Sequence, residues 1–180
     1  MFAALRRRRR LRRLAAEIHR ALVERARAPH LYARLGVPDT FEGRFELAAL
    51  FVVAFAREAA RRGGGTAELG QAVVDAFFAD LDRAVREMGV GDLSVGKHVR
   101  RLGELFLHRS RSLCEALDRD DPQAAAALLA RNLPDLPPAG ARAVAEEVFA
   151  FARHLARAED PVAALQAAEA PARNAATTSI

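Results

Sequence analysis

Chemistry needs side chains that can hold a proton, a metal or a nucleophile in useful company, and this sequence offers few such groupings. Its five histidines, His19, His30, His98, His108 and His154, are scattered, and no two stand at the i, i+4 spacing that makes a two-ligand metal face on a helix. Each reads as a surface or partly buried structural histidine. Cys114 is the single cysteine, so no intrachain disulfide and no cysteine-based zinc site can form. There is no phosphate-cradling glycine loop of the P-loop type and no nucleophile elbow. The carboxylates are more suggestive. Asp80 and Asp82 lie close to Arg83, Arg86 and Glu87, but Asp82 with Arg86 and Arg83 with Glu87 stand at i, i+4 and can pair on a helix surface. Glu46 stands alone among apolar neighbours, and burying its charge demands a partner, an arginine or the amides of a helix N-terminus. These residues point to charge pairing and binding, so we expect no enzyme, no cofactor, no metal and no small-molecule substrate.

The elements that position these side chains are helical by pattern. From Leu11 to Val23 the residues Leu11, Leu14, Ala15, Ile18, Ala21 and Leu22 recur at helical spacing and leave arginines on the other face. Pro29 interrupts this basic amphipathic helix, and a turn through Leu31, Tyr32 and Leu35 leads to Gly36. A second helix starts after Pro38, with Asp39 and Glu42 at capping-box spacing or Thr40 as the cap. Its residues from Phe45 to Phe55 are apolar on almost every side, too short a run for a membrane span and suited to the centre of a core. Gly63, Gly64 and Gly65 read as a flexible connector, with Thr66 capping the next helix. That helix presents Val74, Phe77, Phe78, Leu81, Val85 and Met88 as one stripe and ends at Gly89 and Gly91. Ser94 opens a helix with Val95, Val99, Leu102, Leu105, Phe106 and Leu113. Asp121 and Pro122 open another, which ends near Leu133. After Pro134, Pro137 and Pro138, a last long helix carries Val144, Val148, Phe151 and Leu155 until Pro161.

The expected fold is therefore all-α, a single-domain bundle of about six to seven helices around a central apolar one. Residues 1–28 form a basic amphipathic N-terminal helix, 29–168 the helical domain, and 169–180 a flexible tail with too little apolar area to offset its ordering entropy. The 180 residues suffice for one core, and 51% of them are apolar. Alanine, leucine and arginine dominate, which favours helix over sheet. Twenty-seven arginines accompany one lysine, Lys97, a bias that fits a GC-rich coding sequence. Charge is uneven: residues 1–27 carry ten arginines and two glutamates, net +8 of a total +5, which leaves the remainder at −3. Arg6, Arg7, Arg8, Arg9, Arg10, Arg12 and Arg13 thus form an arm for an anionic membrane or a ribosome, whereas a general nucleic-acid binder would carry basic charge on its body too. No apolar stretch follows the arginines, so no export signal is expected. The expected place is the cytoplasm, with a peripheral position at the cytoplasmic face of the inner membrane as an option.

Two segments are idiosyncratic. GVPDTFEGRFEL, from Gly36 to Leu47, and AFFADLDRAVREMGVGDLSVGKHVRRL, from Ala76 to Leu102, resemble the ubiquinol-cytochrome c chaperone family, with LARNL, Leu129 to Leu133, a weaker third match in the family's order. The resemblance implies an all-helical assembly chaperone for the cytochrome bc complex. Its client would be newly made cytochrome b, met in mitochondria near the ribosomal exit on the matrix side. It also implies a client-binding surface of Asp39, Gly43, Arg44 and Glu46, then Asp80, Asp82, Arg86, Glu87, Gly91 and Asp92, then Asn132. The sequence departs from the family pattern at four positions: Phe51 replaces a histidine, His108 a glycine, and Leu113 and Pro134 each a tyrosine.

Overall fold

The computed structural model describes residues 2–87 and 92–165, and among them it contains seven helices and no strand. The order is α1 (Phe2–Ala26), α2 (Pro29–Ala33), α3 (Phe41–Arg62), α4 (Gly64–Glu87), α5 (Asp92–Asp118), α6 (Pro122–Asn132) and α7 (Pro138–Arg157). The continuous apolar run makes α3 the centre: it packs on α1, α4, α5 and α7. Every residue from Phe45 to Phe55 is buried, because a helix apolar on all faces is stable only when covered on all faces. Around it each neighbour buries one stripe. Ala15, Ile18 and Leu22 of α1, Val73, Phe77 and Leu81 of α4, and Val144, Val148, Phe151 and Leu155 of α7 all enter the same core.

The start of α3 is fixed by Thr40, whose hydroxyl accepts the Gly43 amide at 3.2 Å, while Asp39 turns outward to Arg44. Thr40 rather than Asp39 is therefore the cap. Gly43 is needed for closeness: a Cβ there would stand 2.0 Å from the Pro38 carbonyl oxygen, so only glycine lets the first turn rest on the preceding strand of chain.

The glycine run is shorter as a connector than expected. Only Gly63 separates α3 from α4, its left-handed backbone (φ 70°) reversing the chain, and its carbonyl already accepts from Ala67 as the new helix begins. Thr66 lies inside the first turn of α4 and does not cap it. Pro29, read as an interruption, also opens α2 at a position where its missing N–H costs nothing. Helix α6 opens at Asp121 and Pro122 as expected, and Asp121 caps it, accepting the Ala124 amide at 3.0 Å. Helix α7 stops at Arg157, ahead of Pro161, and Arg62 donates to the carbonyls of Leu155 (2.9 Å) and Ala158 (2.7 Å), satisfying a helix end that would otherwise lack partners. The expected glycine stop of α4 at Gly89 and Gly91, and the tail from 169, lie outside the described residues.

Candidate functional site

Glu46 has the partners its burial requires. It is 1% exposed in α3, yet Asn132 at the end of α6 donates to its Oε1 at 2.7 Å, and the Arg109 guanidinium of α5 meets Oε2 as an ion pair without hydrogen-bond alignment. Burial pushes the Glu46 carboxyl above the usual range, with Arg109 first and Asn132 second pulling it back. Arg109 also lies 5.4 Å from the Phe45 ring centre, so its charge is covered by an aromatic face as well. Three helices are joined by one polar cluster. Arg109 was not singled out from the sequence, although the signal was there: it falls on the apolar stripe of α5, four residues after Leu105 and four before Leu113, where an arginine must point inward and find a carboxylate.

This cluster floors a groove of about 350 Å³ walled by Phe41, Phe45, Leu102 and Leu105, with His98 and Arg101 at its mouth. Phe41 and Phe45 are shared with a second groove of about 170 Å³ between α1, α3 and α4. There Phe45 stacks on Phe77 at 5.9 Å, His19 lies beside them, and Arg27, Arg44 and Asp80 form the rim. A third groove of about 400 Å³ runs along Phe78, Phe106 and the exposed Leu107.

Of the residues marked by the family-like segments, Glu46 and Asn132 thus meet directly, although 86 positions apart, and Arg44 and Asp80 share the second groove. Gly43 is buried beneath the turn it permits. Arg44 binds Asp39 at 2.7 Å, and that hydrogen bond holds the Asp39 carboxyl below the usual carboxylate range. Asp82 and Arg86 pair at 2.8 Å on the outside of α4 and line none of the three grooves; the hydrogen bond from Arg86 likewise holds Asp82 low. Arg83 pairs with Asp80 at 3.3 Å, not with Glu87, because helical side chains lean towards the N-terminus and bring the preceding turn within reach. Glu87 is the exposed last residue of α4, Asp92 the first of α5, and Gly91 lies outside the described residues. Arg6 to Arg10, Arg12 and Arg13 are all exposed along the first half of α1, Arg7 reaching Glu68 at 2.7 Å and Arg13 reaching Glu17 at 3.0 Å.

Two of the four departures from the family pattern are interior. Phe51 and Leu113 are each 1% exposed, and Phe51 meets Phe151 edge-on at 5.4 Å with Arg25 over both rings. A histidine or tyrosine at those two places would sit in the core of this chain, whereas His108 and Pro134 are exposed.

Among the described residues no group of three or more His, Cys, Asp or Glu side chains could hold a metal ion, and no helix is long and apolar enough to cross a membrane. An all-helical domain whose polar side chains gather at apolar grooves defines the class. Within that class the chain belongs to the ubiquinol-cytochrome c chaperone family, whose model matches residues 33–170. The crystal structure of the Cbp3 homolog from Brucella abortus is similar to it, with a TM-score of 0.74 and 32% sequence identity over 92% of this chain and 93% of that one. No curated protein matches the chain.

Proposed function

We infer that the protein is an assembly chaperone for the ubiquinol-cytochrome c reductase complex, and that it holds a newly made, cytochrome b-like membrane subunit before that subunit joins its partners. The observation that carries this reading is the family match over residues 33–170, together with grooves that combine aromatic walls and charged rims. A membrane subunit outside the bilayer exposes apolar helices, and an apolar groove with a polar rim covers such a helix while rejecting others by charge. Asp39, Gly43, Arg44, Glu46, Asp80, Asp82, Arg86, Glu87, Gly91, Asp92 and Asn132 are the proposed client-binding set, with Glu46 and Gly43 shaping the site from beneath. Residues 1–28 serve as the docking arm and 29–168 as the chaperone domain, with the arm resting on the cytoplasmic face of the inner membrane. Clustered arginines suit an anionic membrane, each contributing about 1 kcal/mol near such a surface.

Affinity capture of the tagged protein from its native membranes tests this reading. Subunits of the reductase, cytochrome b among them, should co-purify. Recovery of ribosomal proteins and RNA without any reductase subunit would overturn it in favour of a ribosome-associated factor. The exposed arginine run of α1 favours that second reading, under which binding falls steeply as salt rises.

A further inference from the structure

The smaller groove contains a buried side chain with an unpartnered polar atom. His19 is 8% exposed, and its Nε2 is buried without a hydrogen-bond partner. Its ring lies 6.1 Å from Phe77, so one flank is aromatic and the other borders the groove. A buried polar atom left without a partner costs stability, and folded chains retain few of them. The rim beside it holds two guanidinium groups. Arg27 is exposed and makes no ion pair among the described residues. Arg44 spends only its Nε on Asp39, which leaves its terminal nitrogens as donors. Asp80 lines the same groove, held by Arg83 through one oxygen at 3.3 Å and free to accept through the other.

We propose that this groove is an acceptor site for one kind of peptide segment, in which an apolar side chain enters over Phe45 and Phe77 and a neighbouring carboxylate meets Arg27, Arg44 and His19. A cavity of roughly 150 Å³ is enough for a benzene ring, so about 170 Å³ takes a single aromatic or branched aliphatic side chain and no more. Two guanidinium groups select an oxyanion, and the His19 imidazole joins them as a donor in its Nε2–H form. Asp80 decides the source of that oxyanion. An ionised fatty acid brings no donor to it and is repelled, whereas a polypeptide brings backbone N–H groups beside its carboxylate. The site rests on the client-binding reading above and narrows it: the client offers an acidic residue next to an apolar one.

The test follows the ring signals of His19 by NMR in the full chain with isotope-labelled histidine. Three probes are titrated: a capped hexapeptide with phenylalanine followed by aspartate, its counterpart with lysine for aspartate, and octanoate. The acidic peptide should shift the His19 signals in a saturable way, and the lysine peptide should not. Arg27→Glu, a surface change, should weaken acidic-peptide binding by about tenfold or more, the loss expected for one charge-assisted contact. Silence at His19, equal response to both peptides, or saturation by octanoate alone overturns the proposal. Affinity capture with full-length Arg27→Glu separates the two levels. If the parent captures reductase subunits and the variant captures them equally, the groove is wrong and the chaperone reading stands; if the parent captures none, the chaperone reading itself falls.

Discussion

Glu46 and Asp82 are both acidic residues on long helices, both lie in the stretch that the family model matches, and both pair with an arginine. Glu46 draws its partners from α5 and α6, is closed off from water, and is held in a raised-pKa state by burial. Asp82 draws its partner from its own helix four residues on, stays in contact with water, and is held low by that hydrogen bond. The buried pair welds three helices together and so belongs to the fold; the outer pair joins nothing that α4 does not already join. A charge that costs stability to bury must be structural or poised, whereas a charge that contributes little to folding is available to a partner.

The largest break in this contrast comes from removing Arg109. Arg109→Leu removes the cation that offsets the burial of Glu46, so the carboxyl must stay charged without its ion pair or take up a proton, and the urea unfolding free energy should drop by about 3–5 kcal/mol. Adding Glu46→Leu to it should recover most of that loss, since two apolar residues replace a buried pair at little cost. A double variant no better than the single would mean the cluster shapes the core by more than its charge. A smaller effect is expected from Asn132→Ala, which withdraws the donor to Oε1 and should cost about 1–3 kcal/mol by the same measurement.

His19 sharpens the contrast by pH. Burial first, then Arg27 and Arg83, push its imidazole below the ordinary 6.5, while Asp80 pulls it up. Below that value the unfolded chain takes up a proton that the folded chain resists, so the stability contributed by neutral His19 is present above pH 6.5 and lost as pH falls towards the depressed value. His19→Phe should therefore match or exceed the parent near pH 7, and its advantage in urea midpoint should widen as pH drops to about 5. An advantage that stays constant across that range would mean His19 is not titrating in the fold.

The fold was legible wherever one helix's own pattern decided it. The unbroken apolar run of α3 demanded the centre, and the proline and aspartate before α6 marked its start, because these are local demands. The glycines at 63 to 65 were misleading since composition alone could not tell a loose connector from a one-residue reversal; the tight approach of α4 to α3 decides that, and it is tertiary. Glu46's need for a cation was legible, but Arg109 had to be found by noticing a charged residue on the apolar stripe of α5. His19 sits one residue beyond Ile18 and three before Leu22 on a buried face, so its burial was legible too, while its lack of a partner depends on what α4 brings beside it. The grooves were not legible, because they are the spaces that three helices leave.

The smallest expected effect on folding is at Asp82 and Arg86, and there the effect on function should be large. Reversing the pair as Asp82→Lys with Arg86→Glu keeps an intrahelical ion pair of opposite polarity, and the helix still turns its buried stripe of Phe77, Leu81 and Val85 to the core. Exposed pairs of this sort add little to folding, so the melting temperature should remain that of the parent. Across an interface the same reversal sets like charges against a partner's complementary ones, and repulsion at close range rejects the partner outright. Cells carrying only this double variant should therefore contain folded chaperone at parental levels and little assembled reductase. Normal assembly in such cells would move the client surface off α4 and back to the grooves beside Phe45. If the variant unfolds instead, the pair is as structural as Glu46 with Arg109, and the contrast between the two clusters disappears.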